Sequence, residues 1–257
     1  MRRAVIALLR NDPKFAHPEL IYGLEKRRFK VVDRPVMDLC AEDVLVVWNR
    51  QNRTAALCAA AERAGARIVV IENGYFGREW RGGRWYALSL EHHYTTPIRH
   101  LPERWPLFGV ELKPWQPIEV NRVLLLPQRG IGEPGVGMPR DWVALACKYF
   151  DRRGWAADIR EHPGKIGQTE ADDLQTAIQG YYAVATWGSG AAIKALVEGV
   201  PVINWYHDWM MQPGCIHADK WDSGTRPETD RLPAFEAMAG GLWSAHEIAS
   251  GEPFDEL

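Results

Sequence analysis

The sequence lacks the marks of several protein classes. It has only four cysteines among 257 residues, and they form no C-x-x-C pair. This argues against a zinc site or a disulfide framework and favours buried thiols in a reducing compartment. No segment approaches the roughly 20 apolar residues that a membrane helix needs, and the apolar run after Arg2 and Arg3 ends too early for a signal peptide. We therefore expect a cytoplasmic protein without a membrane span.

Metal-binding patterns are also missing. The chain contains no D-x-D triplet, and its His, Cys and Asp residues form no group with the spacing of metal ligands. We therefore predict that the protein needs neither a metal nor a resident cofactor.

The overall composition is that of a soluble globular protein, with 46% hydrophobic and 25% charged residues. The twelve tryptophans either fill a core and an interface or form stacking surfaces for sugars or bases. Residues 1–120 carry 19 Lys and Arg against 14 Asp and Glu, whereas residues 121–257 carry 12 against 19. The basic half either meets an anionic acceptor, such as nucleic acid or an acidic glycan, or has an ordinary arginine-rich surface.

Strand and helix patterns alternate along the chain, which predicts parallel sheets flanked by helices. In the first half, strands are expected at 4–9, 29–34, 44–49 and 66–73, helices at 19–28 and 53–65, and a hairpin turn at 80–85. In the second half, strands are expected at 122–127, 155–160, 181–186 and 200–204, and helices at 140–154, 170–180, 191–199, 231–240 and 243–251.

Five prolines between residues 97 and 119 predict a linker. The fold class is therefore predicted to be α/β, with two Rossmann-like domains, residues 1–118 and 119–257, that face each other across a cleft. Such a cleft is the natural place for a ligand.

The segment T-W-G-S-G at 186–190 lies between a predicted strand and a predicted helix. Backbone N–H groups at a helix start, close approach at Gly188 and Gly190, and the hydroxyls of Thr186 and Ser189 suit a phosphate, and Lys194 lies within reach of the same anion. The alternative is an ordinary β–α turn with a serine cap.

Two further loops leave predicted strands of the second half. Arg160, His162 and Lys165 follow one strand, and Arg129 lies in a Gly- and Pro-rich loop at 127–139 after another. Since parallel strands end at one edge of a sheet, these cations are expected to face the Gly-rich turn and to bind a diphosphate or phosphodiester.

A second candidate corner lies in the first half. Glu72, Asn73 and Gly74 end its strongest predicted strand and suit either an acceptor or catalytic corner or a plain Asn-Gly turn. His92 and His93 follow the strand Y-A-L-S-L, and only one of them is expected to line a cleft because adjacent strand residues point to opposite faces.

Five segments together resemble the capsule polysaccharide glycosyltransferase family, which includes the transferases that build the Kdo linker of bacterial capsules. The family carries a strand ending in Gly-Arg, then E-D-G-F, an S-L strand, H-P, and finally S-x-x-G-x-E-A-L-x-x-G-x-P-V. The matching segments keep that order and cover most of the chain: V-V-W-N-R (46–50), I-E-N-G-Y-F (71–76), Y-A-L-S-L (86–90), I-R-E-H-P-G (159–164) and T-W-G-S-G-A-A-I-K-A-L-V-E-G-V-P-V (186–202).

The resemblance implies a GT-B fold, a nucleotide-sugar held mainly by the second domain, metal-independent transfer, and a terminal helix returning toward the first domain. Two positions depart from the family. Lys194 stands where the family has an acidic residue; since lysine cannot accept hydrogen bonds, that donor contact has changed or moved to Glu198. Asn73 replaces the family's Asp, so Kdo transfer and a role for that carboxylate are not carried over.

We therefore predict a glycosyltransferase that moves a sugar from a nucleotide-sugar to a hydroxyl of its acceptor. Glu72 is the first candidate for activating this hydroxyl, followed by His92 or His93. The acceptor is expected to be a surface glycan or a hydroxymethylated DNA base, of which the second would suit the basic first half. The alternative is a non-catalytic module that binds nucleotide or DNA.

Overall fold

The structure is a computed structural model that describes residues 2–8, 16–50, 54–117, 120–133, 135–162, 174–222 and 228–257. The chain divides into two compact units, one of Met1–Leu101 with Ala237–Leu257 and one of Pro102–Glu236. The predicted boundary between residues 118 and 119 falls on two residues outside the described ranges, and it stays a prediction, as does the cleft.

Strands and helices alternate through both units. The strands are β1 (Arg3–Ala7), β2 (Lys30–Val32), β3 (Val44–Trp48), β4 (Arg67–Asn73), β5 (Glu79–Trp80), β6 (Gly83–Leu90), β7 (Thr96–Pro97), β8 (Arg122–Leu126), β9 (Ala156–Ile159), β10 (Ala183–Thr186), β11 (Val202–Asn204), β12 (Ile216–His217) and β13 (Leu242–Ser244). The helices are α1 (His17–Lys26), α2 (Ala55–Ala64), α3 (Trp142–Asp151), α4 (Leu174–Ala177), α5 (Gly190–Val197), α6 (Leu232–Ala239) and α7 (Ala245–Ser250). The predicted α/β class is confirmed.

The first unit is built on a mixed sheet in the order β13-β6-β4-β3-β1-β2. Strands β1 to β4 run parallel, and β6 runs antiparallel to β4. Residues Val44–Val47 are all buried, as expected for a strand whose two faces are both covered. One face packs against α1 and α7 through Leu20, Leu24 and Ile248, and the other packs against α2 through Leu57.

The second unit contains a wholly parallel sheet in the order β12-β11-β10-β8-β9. The chain passes from β8 through α3 to β9 on one side, and then crosses to β10 on the other side of β8. The strand order therefore reverses at β8. In open α/β sheets, ligands bind at such a reversal, outside the carboxyl ends of the strands.

The core of the second unit is rich in aromatic rings. Trp142, Phe150, Trp155 and Trp221 are all at least nine-tenths buried and pack on one side of this sheet. Six of the twelve tryptophans in the chain are buried, and Trp48, Trp187 and Trp205 are half-buried and pack against the cores. The core-filling interpretation therefore holds for most of them.

The predicted linker at 97–119 contains regular and packed structure in its described part. Pro97 belongs to β7, which pairs with β6, and Pro102–Phe108 forms a 3₁₀ helix whose Trp105 is buried. Further along, the Lys113 N–H donates to the Val197 carbonyl oxygen over 2.9 Å. The first unit ends at Leu101 and the second begins at Pro102, inside this segment.

Candidate functional site

The loops after β8 and β10 are joined at the switch point of the second unit. The side-chain amide of Gln128 donates to the Gly188 carbonyl oxygen over 2.8 Å. Gln128 follows β8 and Gly188 follows β10, so this bond fixes the two loops at the position where a parallel sheet offers its ligand site.

The turn between β10 and α5 uses both of its hydroxyl groups internally. The Ser189 N–H donates to Thr186 Oγ1 over 2.9 Å, and Ser189 Oγ accepts from the Ala191 N–H over 3.2 Å. Thr186 is fully buried and Ser189 is 7% exposed. The serine cap that was the alternative interpretation is therefore present. A serine hydroxyl that accepts one bond still has a proton to donate, so a phosphate role for Ser189 stays open, whereas Thr186 is a structural residue of the turn.

Gly188 is required by its surroundings. Its φ is 77°, and a Cβ here would lie 3.1 Å from the Tyr206 ring and 3.2 Å from the Trp209 ring. The glycine therefore lets the turn pack against the segment that follows β11. Gly190 is the first residue of α5.

Two predicted cations of the second unit act on His162. His162 is half-buried, and burial lowers the pKa of its imidazole, with further lowering from the positive charges of Arg129 and Arg160. The loops after β8 and β9 thus bring the two guanidinium groups within electrostatic reach of His162, and their binding of a phosphate stays a prediction. Lys165 lies outside the described residues.

Lys194 and Glu198, the two residues considered for the family's acidic contact, lie on α5 and at its end. Lys194 is exposed on α5. Glu198 caps the carboxyl end of α5 and forms an ion pair with Lys113. At 1.5 Å per residue, Glu198 lies about 14 Å from Ser189 along the helix axis. The transfer of the donor contact to Glu198 stays a prediction.

The Gly-rich loop at 127–139 is folded back on itself. The Trp187 indole N–H donates to the Val136 carbonyl oxygen over 3.0 Å, and a Cβ on Gly132 would lie 2.9 Å from the Gly137 nitrogen. The glycines at 130, 132 and 135 have the G-x-G-x-x-G spacing, a signal that the sequence analysis missed. Because α3 begins only at Trp142, the loop does not open a helix as a dinucleotide-binding loop does.

The predicted corner of the first unit lies at the carboxyl end of β4. Glu72 is half-buried, and its carboxylate accepts from the Asn73 N–H over 3.1 Å. Asn73 is exposed, whereas Gly74 is buried and donates its N–H to the Trp85 carbonyl oxygen over 3.0 Å. Glu72 and Asn73 are therefore placed where a ligand could reach them, and Gly74 serves the hairpin.

His92 and His93 follow β6 near the amino end of β4, because β6 runs antiparallel to β4 and pairs Leu90 with Val69. Tyr94 spans this distance: its hydroxyl lies 3.5 Å from the Asn73 carbonyl oxygen. Burial and the nearby Glu72 carboxylate raise the pKa of Tyr94. Tyr94 was not predicted, and no sequence pattern indicates it.

His93 reaches this corner through Tyr94. The two rings are 5.8 Å apart, and burial, with a smaller effect of His92, lowers the pKa of His93 to about 4. His93 is therefore neutral at pH 7, and its low pKa makes it a weak base there.

The hairpin β5–β6 adds an aromatic and basic surface beside this corner. The rings of Phe76 and Trp80 lie 4.9 Å apart and those of Trp80 and Trp85 lie 5.0 Å apart. The Arg81 guanidinium stands 4.9 Å from the Trp80 ring, and Arg84 is exposed on the adjoining strand. Half-buried aromatic rings of this kind can stack on sugar rings.

The arginine of V-V-W-N-R has a structural position. Arg50 is 2% exposed, and it donates to the Glu91 carbonyl oxygen over 3.1 Å and to Glu62 over 2.6 Å. It thereby ties the end of β3 to the turn after β6 and to α2.

Comparison with solved structures places this geometry in a known fold. The chain is similar to Thermosulfurimonas dismutans KpsC, beta Kdo 2,4 transferase, with a TM-score of 0.57 and 13% identity over 97% of this chain and 98% of that chain. It is also similar to Thermosulfurimonas dismutans KpsC, beta Kdo 2,7 transferase, with a TM-score of 0.54 and 14% identity over 98% of both chains. No protein-family model and no curated protein matches the sequence.

These similarities support the resemblance at the level of the fold. The chain has a fold similar to that of capsule-type Kdo transferases along nearly its whole length. In the part of the chain that the structure describes, no helix is both long and apolar enough to cross a membrane.

Proposed function

We propose that this protein is a glycosyltransferase that moves a sugar from a nucleotide-sugar to a hydroxyl of its acceptor. The proposal is carried by one observation: the positive charges of Arg129 and Arg160 act on His162 at the carboxyl edge of a parallel sheet, beside the point where the strand order reverses. The fold similarity to two Kdo transferases supports the same class.

The donor's phosphates would bind to these three side chains. When the bond to the sugar breaks, negative charge develops on the leaving nucleotide, and positive groups fixed nearby stabilise it without reorganising. Arginine suits this role because its planar guanidinium binds phosphate oxygens in pairs. The Ser189 hydroxyl adds a donor at the start of α5.

The acceptor would bind to the first unit, at the end of β4. Glu72 is our candidate base for the acceptor hydroxyl, and Tyr94 lies near enough for the Glu72 charge to raise its pKa. The aromatic rings and exposed arginines of the β5–β6 hairpin fit an acidic glycan, since the rings match sugar faces and the guanidinium groups match carboxylates.

Binding of free nucleotides and nucleotide-sugars, measured by thermal shift with CMP, UDP, GDP and ADP forms, tests the donor site. A ligand at about 100 times its Kd adds about 2.7 kcal/mol of stability. We expect one nucleotide class to stabilise the wild type and His162→Ala to lose the effect. His246→Ala, which changes an exposed histidine of α7, should keep it. No stabilisation by any nucleotide would argue against a transferase.

Sugar release measured with acidic glycan and with hydroxymethylated DNA separates the remaining possibilities. Transfer to glycan that is lost in Glu72→Gln supports the proposal. Nucleotide binding without transfer to either acceptor would indicate a non-catalytic module. DNA affinity that falls steeply with salt would indicate the nucleic-acid alternative, because phosphate contacts release counterions.

A further inference from the structure

Three potential metal ligands meet at the carboxyl ends of β11 and β12. The imidazole rings of His207 and His217 stack 3.7 Å apart with an angle of 17° between their planes. Asp219 Oδ2 lies 3.3 Å from His217 Nδ1 and 3.9 Å from His207 Nε2. One ligand atom from each residue lies within 4.8 Å of the other two. None of the three residues belongs to the proposed phosphate or acceptor sites.

His217 is held in the orientation that a metal ligand requires. It is 6% exposed, and its Nε2 lies 3.2 Å from the Trp205 carbonyl oxygen. A carbonyl oxygen can only accept, so Nε2 carries the proton and Nδ1 is the acceptor nitrogen. Nδ1 accepts from the Asp219 N–H over 3.3 Å, and a metal bound at Nδ1 would replace this hydrogen bond. Histidine ligands of metals usually donate their second nitrogen to a carbonyl or carboxylate in this way, which fixes the ring and raises its basicity.

The distances fit a tetrahedral ion after a small adjustment. Ligand bonds of about 2.1 Å at the tetrahedral angle place neighbouring ligand atoms about 3.4 Å apart. The His217–Asp219 distance already has this value. The side chain of His207 is 72% exposed and that of Asp219 is 77% exposed. Both can therefore move by the amount, up to about 1.5 Å, that brings the three ligand atoms to tetrahedral distances from one another. An open groove of about 580 Å³, lined by His207, His217 and Asp208 among others, leaves room for water as the remaining ligand.

We propose that His207 Nε2, His217 Nδ1 and Asp219 Oδ2 bind a divalent transition metal, with Zn²⁺ as the best match. Two imidazoles select such an ion over Mg²⁺ or Ca²⁺, which prefer sites made of oxygen ligands. A bound ion would join the segment after β11 to the segment after β12. Tyr206, next to His207, packs beside Gly188, so the ion would hold in place one wall of the turn before α5.

Titration calorimetry with Zn²⁺, on the full chain without a histidine tag, tests this proposal. We expect one Zn²⁺ per chain, with Mg²⁺ failing to compete. His207→Ala and Asp219→Asn should each weaken binding by about tenfold or more, a loss typical of disturbed metal sites. Both residues are exposed, so these variants should fold normally. The matched control is Asp208→Asn, which removes an exposed carboxylate of the same groove outside the triad and should leave the affinity within about threefold.

Thermal unfolding with and without Zn²⁺ provides a second readout, because an ion that binds only the folded state raises the Tm. The increase should occur in the wild type and in Asp208→Asn and be reduced in the two ligand variants. Absence of zinc binding by the wild type, or equal affinity in the wild type and both ligand variants, would overturn the proposal. Neither result depends on nucleotide or sugar, so the metal site and the proposed transferase function can fail separately.

Discussion

Ser189 offers a test in which helix capping and phosphate binding can be separated. Its φ and ψ of −79° and 139° are those of an N-cap residue, and its Oγ accepts from the Ala191 N–H. Ser189→Ala removes this acceptor from a residue that is only 7% exposed. Ser189→Asp keeps an acceptor of equal capping strength and places a negative charge at the positive end of α5.

The expected magnitudes differ for the two variants. Loss of a serine cap costs about 1 kcal/mol, which corresponds to a Tm decrease of about 2–4 °C for a chain of this size. Ser189→Asp should remain within about 0.5 kcal/mol of the wild type, since aspartate caps as well as serine. If the turn binds phosphate, the two variants should rank in the opposite order for nucleotide affinity. Ser189→Ala should lose about tenfold in affinity, because it removes one charge-assisted hydrogen bond. Ser189→Asp should lose considerably more, because its carboxylate repels the phosphate.

Urea unfolding of the two variants and nucleotide titration of the same preparations give both quantities. Nucleotide affinity of Ser189→Asp equal to that of the wild type would refute phosphate binding at this turn and leave capping as its whole role. Equal stability of Ser189→Ala and the wild type would refute the capping argument instead.

Three further predictions concern stability. Gly199 and Gly180 have similar left-handed φ values of 75° and 78°, but a Cβ on Gly199 would lie 2.0 Å from the Pro114 carbonyl oxygen, whereas Gly180 has open space. In urea unfolding, Gly180→Ala should cost about 1 kcal/mol and Gly199→Ala about 3 kcal/mol, and equal losses would contradict the close approach. The pKa of His93 falls from 6.5 to about 4 on folding, so between these pH values the unfolded chain binds more protons than the folded chain. The free energy of unfolding should therefore decrease by up to about 3 kcal/mol as the pH drops through this window. A His93→Gln variant whose free energy of unfolding changes with pH as in the wild type would refute this. Trp187→Phe loses the 3.0 Å bond to the Gly-rich loop and should cost about 1 kcal/mol and speed amide exchange in that loop; unchanged exchange would show that the bond does not hold it.

Local signals were enough to predict most of the elements. The strand over 66–73 is an uninterrupted apolar run and forms β4, and the alanine-rich pattern over 53–65 forms α2 and ends at Gly65 as predicted. Elements of two or three residues, such as β12 and β13, were missed because they are too short to show a period. Such short strands form by pairing with a neighbouring strand, as β13 does with β6.

Strand direction explains which parts of the candidate site could be predicted. The second unit's cations follow strands that were expected to be parallel, and parallel strands end at one edge, so the placement of Arg129 near His162 followed from topology. In the first unit, β6 runs antiparallel, and no pattern in Y-A-L-S-L indicates this direction. One of His92 and His93 was expected to line the cleft, and the structure places the His93 ring against Tyr94, whose hydroxyl lies near the end of β4.

The proposed metal ligands show the same dependence on pairing. His207 and His217 are ten residues apart, a spacing that resembles no ligand motif. Strands β11 and β12 are parallel neighbours, with Asn204 opposite His217, so the residues just after β11 meet the end of β12. A ligand set formed across two strands in this way cannot be seen in the spacing along one chain.

The hydrogen bonds at the turn before α5 determine how much of a bound phosphate's charge this turn can offset. Thr186 Oγ1 and Ser189 Oγ both accept from backbone N–H groups, and Thr186 is inaccessible, so one hydroxyl at most remains for a ligand. A diphosphate carries more charge than a single hydroxyl and a helix end can offset, since the helix end contributes only about half an elementary charge. Most of the compensation must therefore come from the loops after β8 and β9. For this reason, removal of Arg129 or Arg160 should weaken nucleotide binding more than removal of Ser189.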